Sequence, residues 1–195
     1  VIEHINNALQ QAKTGLDKLL ADQNQLQNIE EAARVLIDAL ARQGRVISCG
    51  NGGSMCDAMH LAEELSGRFR ADRSSMAAMA ICDPSYMSCV ANDYGYDQVF
   101  SRFVEGHGRA GDVLVAISTS GTSQSVVCAA LAARAAGMKV IALTGRPGSV
   151  LERHSDVCIC TPVGEFADRS QELHIKVIHI LIELVERYLY PANYQ

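Results

Sequence analysis

Ser48-Cys49-Gly50-Asn51-Gly52-Gly53-Ser54 is the stretch on which the reading of this chain turns. The residues before it, from Arg45 to Cys49, read as a short buried strand. Met55 to Arg68 reads as a helix, and Ser54 with Asp57 three residues on has the spacing of a helix N-terminus. A strand, a glycine-rich turn and a helix start make a corner whose free backbone N–H groups and helix dipole favour an anion. A plain strand-to-helix turn accounts for the same residues. The pattern is not the dinucleotide fingerprint, because Met55 stands where the third glycine belongs. It is not a P-loop either, because no Gly-Lys-Ser/Thr follows, so no nucleotide cofactor is expected.

Outward from this corner, strands and helices alternate. Strands are expected at Val46–Cys49, Met76–Ile81, Asp112–Ile117, Lys139–Leu143 and Asp156–Cys160. Helical segments are expected near Ser85–Ala91, over Gln98–Glu105, from Ser123 to Ala136 and over Asp168–Leu189. Asn92-Asp93-Tyr94-Gly95 reads as a turn, and Pro191 ends the regular structure. Short apolar strands alternating with helices imply a parallel sheet covered on both faces. Before the first strand, residues 1–22 and 26–43 each carry apolar residues at helical spacing, and Gly44 closes the second segment. The expected organisation is one domain over 1–195, with a helix hairpin at 1–44 and an α/β core with its last helix at 45–195.

Composition narrows the class. At 195 residues, 48% hydrophobic and 20% charged, the chain is of ordinary globular type. A formal charge of −5 without a Lys/Arg cluster argues against nucleic acid. No apolar run reaches the length of a membrane span, and the N-terminus lacks a signal-peptide pattern. Seven cysteines without a C-x-x-C pair read as reduced thiols of a cytoplasmic protein. Cys49, Cys82, Cys89, Cys128, Cys158 and Cys160 sit in apolar stretches and are expected as small core residues. Cys158 and Cys160 would face one side of a strand, where packing is favoured over a metal pair.

In open parallel sheets ligands bind beyond the carboxyl ends of the strands. Three loops leave those ends here: Gly50–Ser54, Ser118–Ser123 and Thr144-Gly145. Ser118-Thr119-Ser120-Gly121-Thr122-Ser123 holds five hydroxyls in six residues and opens a helix. Hydroxyls and backbone N–H donors cradle a phosphate without Lys or Arg, whereas a helix cap needs one or two of them. In the helix after Ser54, Asp57, His60, Glu64 and Arg68 form one polar stripe, which brings His60 and Glu64 to one face. On spacing alone, a solvated face with a His–Glu pair is the better explanation of the stripe. In the last helix Glu172, Lys176, His179, Glu183 and Arg187 form the single stripe on an otherwise apolar surface, part of which another subunit would cover. Asp168 with Gln171 has the outline of a capping box.

These residues together resemble the phosphoheptose isomerases of the sugar-isomerase (SIS) domain family. The resemblance is carried by residues 48–54, Asp57-Ala-Met-His60-x-x-Glu-Glu64-Leu, Asn92-Asp93, Ile-Ser-Thr-Ser-Gly at 117–121, Leu-Thr-Gly at 143–145 and Ala-Asp168-Arg-x-Gln171-Glu-x-His-Ile-Lys-Val-Ile-His179. It runs over nearly the whole chain and implies an α/β/α sandwich with a five-stranded parallel sheet. It further implies a homotetramer with active sites at subunit interfaces. The implied reaction converts sedoheptulose 7-phosphate to D-glycero-D-manno-heptose 7-phosphate, toward the heptose of lipopolysaccharide. By motif match Glu64 and His179 are the acid/base pair. Ser54, Ser118, Thr119, Ser120 and Ser123 match the phosphate cradle. Asn51, Gly52, Gly53, Arg68, Asn92, Asp93, Asp168 and Gln171 match substrate-contacting positions. Some relatives bind zinc through residues matching His60, Glu64, Gln171 and His179. Met55, Thr122 and Arg146-Pro147-Gly148-Ser149 depart from the usual pattern. Two other readings are a non-catalytic partner protein of the replication-initiator-associating type, which lacks the Glu and His, and a sugar-phosphate sensor, which normally carries a DNA-binding domain.

Overall fold

The chain opens with two helices joined by a single residue. In the computed structural model, which describes residues 1–162, 164 and 166–195, α1 spans Ile2–Ala21 and α2 spans Gln23–Ala41. Asp22 between them caps α2: its carboxylate accepts from the backbone N–H groups of Asn24 and Gln25, both at 3.1 Å. That cap starts α2 three residues before the apolar periodicity does. Five parallel strands follow: β1 Val46–Gly50, β2 Ala78–Ala80, β3 Val113–Ser118, β4 Lys139–Thr144 and β5 Val157–Cys160. Their order is β2-β1-β3-β4-β5. The chain therefore leaves β1 toward one edge and returns on its other side with β3, and a crevice opens between the carboxyl ends of these two strands.

Strand β2 is shorter than the expected Met76–Ile81. It is a half-buried edge strand of three residues, flanked by the buried side chains of Met76 and Ile81 that anchor it. The remaining helices are α3 Gly53–Ser66, α4 Pro84–Tyr94, α5 Ser101–His107, α6 Gln124–Ala135, α7 Val150–Arg153 and α8 Ala167–Leu189. The turn expected at Asn92-Asp93-Tyr94 is instead the last turn of α4. That helix starts on Asp83, which caps the Tyr86 N–H at 2.7 Å, with Pro84 in its first turn, and it ends at Gly95 with φ 88°. Two 3₁₀ turns, at Tyr96–Gln98 and Pro191–Tyr194, and the short α7, capped by Ser149, carry too little periodicity to be read from sequence.

The sheet divides the core in two. Leu36, Leu61, Leu65, Val177, Leu181 and their neighbours pack α2, α3 and α8 on one face. Val104, Val126, Ala130 and Leu151 pack α5, α6 and α7 on the other. The result is the expected α/β/α sandwich with a five-stranded parallel sheet. Among the described residues, no helix is long and apolar enough to cross a membrane. Of the cysteines expected as core residues, only Cys49 and Cys160 are buried, and Cys89 is exposed, as is Cys56. An apolar neighbourhood in sequence does not place a residue on the inner face of its helix.

Helix α8 is pinned to the sheet by an imidazole. His174 is wholly buried and its Nε2 pairs with the carbonyl of Thr144, the last residue of β4, at 3.1 Å. Burial pushes its pKa down from 6.5 to about 4. Between those values the unfolded chain binds more protons than the folded one. The stability His174 contributes is therefore complete above pH 6.5 and is lost as the pH falls toward 4, by on the order of 3 kcal/mol. Urea midpoints measured over that window should fall with acid in the wild type. They should fall less steeply in His174→Gln, and equal slopes would refute the assignment.

Candidate active site

The glycine turn builds the first wall. Gly50 ends β1, and a methyl group there would lie 2.6 Å from the carbonyl oxygen of Ser54, so the chain turns into α3 in a space that admits no side chain. Gly52 takes φ 55° and precedes the first helical residue. Ser54 is therefore inside α3, buried, and no side chain caps this helix. This corrects the reading of Ser54 and Asp57 as a cap: glycine at the cap position and tight backbone geometry start the helix. Asn51 spans the crevice, donating to Ser125 Oγ at 3.0 Å while its carbonyl accepts from Tyr96 O–H at 2.8 Å.

The hydroxyl loop forms the second wall. Ser118 ends β3, its Oγ donates to Ser123 Oγ at 3.2 Å and lies 3.4 Å from Ser120 Oγ, and it accepts from the Gly121 N–H at 3.2 Å. Ser123 occupies the cap position of α6, yet no side chain makes a cap hydrogen bond there. The hydroxyls point to one another rather than to the helix, so capping does not explain them. A cavity of about 190 Å³ adjoins this loop, bounded by Thr119, Ser120, Gly145, Arg146, Phe166 and Ser170.

The third element is where α3 and α8 run side by side. Glu64 and His179 meet there, with His60 between them. His60 Nε2 lies 3.0 Å from His179 Nε2 and 3.4 Å from Glu64 Oε1. The two imidazoles meet edge to face with centroids 5.1 Å apart, and the Phe69 ring lies 5.8 Å from that of His179. Among the described residues, these three offer one ligand atom each within 4.8 Å of one another, a group able to hold a metal ion. Burial, then the neighbouring Glu63, raises the pKa of Glu64; His60 and Arg73 oppose the rise. Burial, then the charges of His60, Lys176 and Arg70, lowers that of His179. Asp57, on the same face of α3, is pushed up by burial to about 6.

Other candidates lie apart from this pair. Gln171 sits against the start of α3: a methyl group at Gly53 would lie 2.6 Å from its Nε2. It precedes His179 by eight residues, about 12 Å along a helix, which leaves Gln171 of the same chain outside the His60–Glu64–His179 group. Asp168 is exposed in the first turn of α8, where its Oδ1 accepts from the Arg169 N–H at 2.9 Å. No side chain caps α8, so the capping-box outline of Asp168 and Gln171 is not realised. Arg68 is exposed beyond α3. Asn92 and Asp93 are exposed at the end of α4 and hydrogen-bond each other at 2.8 Å. The Cys158 thiol, pushed up to about 11 by burial and lying 3.5 Å from Thr144 Oγ1, and the likewise raised Cys160 are packed, protonated groups poorly suited to a metal.

Sequence reasoning missed Tyr96, Ser125, Phe69 and Arg73. The first three are set beside the site only by the fold. Arg73 belongs to a loop with no periodicity.

A parallel sheet with its ligand crevice between β1 and β3, a glycine turn on one side and a serine loop on the other, defines the SIS domain class, and the SIS domain model matches residues 9–145. Phosphoheptose isomerase from Aeromonas salmonicida (strain A449) is 57% identical over 185 residues, 95% of this chain and 96% of the relative. That from Sodalis glossinidius is 54% identical over 183 residues, 94% of each chain. The solved phosphoheptose isomerase of Neisseria gonorrhoeae superposes with a TM-score of 0.82 at 38% identity, covering 95% and 96% of the two chains. For the Francisella tularensis enzyme the TM-score is 0.89 at 29% identity, over 95% and 98%. The chain belongs to the phosphoheptose isomerase family of SIS domain proteins.

Proposed function

We propose that this chain is an aldose–ketose isomerase converting sedoheptulose 7-phosphate to D-glycero-D-manno-heptose 7-phosphate, in the synthesis of the heptose precursor of lipopolysaccharide. The observation that carries the reading is the meeting of Glu64 and His179 from two helices, in a chain whose loop after β3 also gathers hydroxyls in mutual contact. Glu64 takes a proton from C1 of the ketose while His179 gives one to the C2 oxygen, forming an enediol. His179 then takes the proton of the C1 hydroxyl as the carbonyl forms, and Glu64 returns its proton to C2, so no proton is gained or lost. Burial raises the pKa of Glu64, which strengthens it as a base, and lowers that of His179, which strengthens its protonated form as an acid. Ser54, Ser118, Thr119, Ser120 and Ser123 hold the phosphate, whose binding energy positions the reacting end. Asn51, Gly52, Gly53, Arg68, Asn92, Asp93, Asp168 and Gln171 are assigned to the sugar by their match to the family motif. The presence of both Glu64 and His179 weighs against a non-catalytic partner protein.

Residues 1–195 are read as one SIS domain, with 1–44 part of it, because Leu19, Ile29, Leu36 and the sheet share one core. Seven free thiols suit the cytoplasm. Glu64→Gln should lower turnover by about 10²–10⁴-fold with binding retained. Ser120→Ala should instead raise KM by about 10-fold or more while kcat changes little, since that contact is common to substrate and transition state. Near-normal turnover of a folded Glu64→Gln would remove Glu64 from the mechanism.

Two imidazoles and a carboxylate within reach of one point are a donor set that suits zinc, so His60, Glu64 and His179 would hold it. A bound ion would supply Lewis-acid polarisation of the sugar oxygens. Protein purified without chelator should carry zinc by elemental analysis, and His60→Ala should lose it. A metal-free protein indifferent to added zinc would dismiss the site.

The assembly is read as a homotetramer with its sites at subunit interfaces. Ile2, Ile5, Leu9, Leu16 and Leu20 of α1, with Ile180 of α8, leave apolar surface exposed that a second copy would cover. Sedimentation at micromolar concentration should show the oligomer, and a monomer would contradict it.

A further inference from the structure

Arg73 lies in the loop between α3 and β2, and its side chain is wholly buried, as is that of Glu186 in α8. Arg73 Nε donates to Glu186 Oε1 at 2.7 Å. Nη2 donates to the backbone carbonyl of Glu64 at 2.6 Å, and Nη1 to that of Leu65 at 2.9 Å and of Gly67 at 3.2 Å. The other carboxylate oxygen of Glu186 accepts from Tyr194 O–H at 2.7 Å. The last carbonyls of a helix have no partner within the helix. In α3 those of Glu64 and Leu65 end on a guanidinium whose planar fork is fixed on its far side by a carboxylate, while those of Glu63 and Ser66 accept from Gly67 N–H and Ser75 Oγ.

What this fork joins is informative. Glu186 stands seven residues, two turns, after His179 on α8, and the carbonyl that Nη2 grips is that of Glu64 itself. The backbone of one member of the acid/base pair is thus tied to the helix that carries the other. A hydrophobic filler would serve packing alone equally well, because a buried ion pair adds little net stability over apolar residues of the same volume. A fork holding the carbonyls of Glu64, Leu65 and Gly67 adds direction.

We propose that Arg73, buttressed by Glu186 and Tyr194, is a positioning residue for the isomerisation: it sets the height and rotation of the last turn of α3 and so the separation of the Glu64 carboxylate from His179. The assignment rests on the reading of Glu64 as the base. It predicts a loss mainly in the chemical step, since the hydroxyl loop follows β3 and Ser54 lies at the opposite end of α3 from the fork.

Arg73→Lys retains the charge but not the fork, and Tyr194→Phe removes a single hydroxyl. Steady-state kinetics with sedoheptulose 7-phosphate, run well below each variant's unfolding temperature and corrected for folded fraction, separate the possibilities. For Arg73→Lys, kcat should fall about 10- to 100-fold with KM within about threefold of wild type. Tyr194→Phe should show a smaller fall of the same kind. A merely structural role would lower the unfolding temperature and leave kcat per folded site unchanged. If both variants keep kcat within twofold, or lose KM rather than kcat, the proposal is overturned. Should Arg73→Lys fail to fold, Tyr194→Phe decides alone. Glu64→Gln measured alongside keeps the two readings apart: its normal turnover would strike the base assignment, whereas its collapse beside an unaffected Arg73→Lys would strike only this one.

Discussion

Helix α3 leaves β1 through a turn that admits no side chain at Gly50, and that constraint governs the site. At Gly50 the backbone of Ser54 folds back so closely that a methyl group would meet its carbonyl carbon and oxygen at 2.7 and 2.6 Å. The crowding atoms are main chain, so no rotamer change relieves them. With its start fixed there, α3 can only descend along the sheet beside α8, where Leu61 and Leu65 are buried in the same core as Val177, Leu181 and Val185. The polar stripe of α3 then has one place to face, the seam with the polar stripe of α8. Apolar packing, the largest favourable contribution to the fold, thus also aligns His60, Glu64 and His179.

The seam then tunes the groups it has gathered. Removing a carboxylate and an imidazole from water disfavours the charged form of each, so burial drives the pKa of Glu64 up and that of His179 down. In bulk water a glutamate is a weak base near neutrality. Here the same desolvation that costs stability makes Glu64 a stronger base and the protonated His179 a stronger acid. His60 sits in reach of both, and its charge opposes the first shift and reinforces the second.

The hydroxyl loop follows β3, whereas Glu64 and His179 lie on α3 and α8, so the loop and the pair are set by different elements. The loop uses hydroxyls held in contact with one another rather than a lysine or arginine. In the proposed function, neutral donors of this kind would hold a phosphate less tightly than a buried cation, with Arg146 on the wall of the adjoining cavity.

The amino-acid sequence by itself determined the alternation of strands and helices, the glycine turn, the hydroxyl loop and the two polar stripes, because each is a local pattern whose period or turn chemistry is set by neighbouring residues. The helix start at Asp22 and the cap at Asp83 belong to the same kind of signal, although apolar periodicity alone passes them by. The tertiary structure decided the strand order that opens the crevice between β1 and β3, the register that sets Glu64 against His179, and the separation of Gln171 from them. It also decided that Asn92 and Asp93 end a helix, that Cys89 faces water, and that Arg73 and Glu186 are buried. All of these depend on which faces meet across the sheet, and that is a matter of packing between segments far apart in sequence.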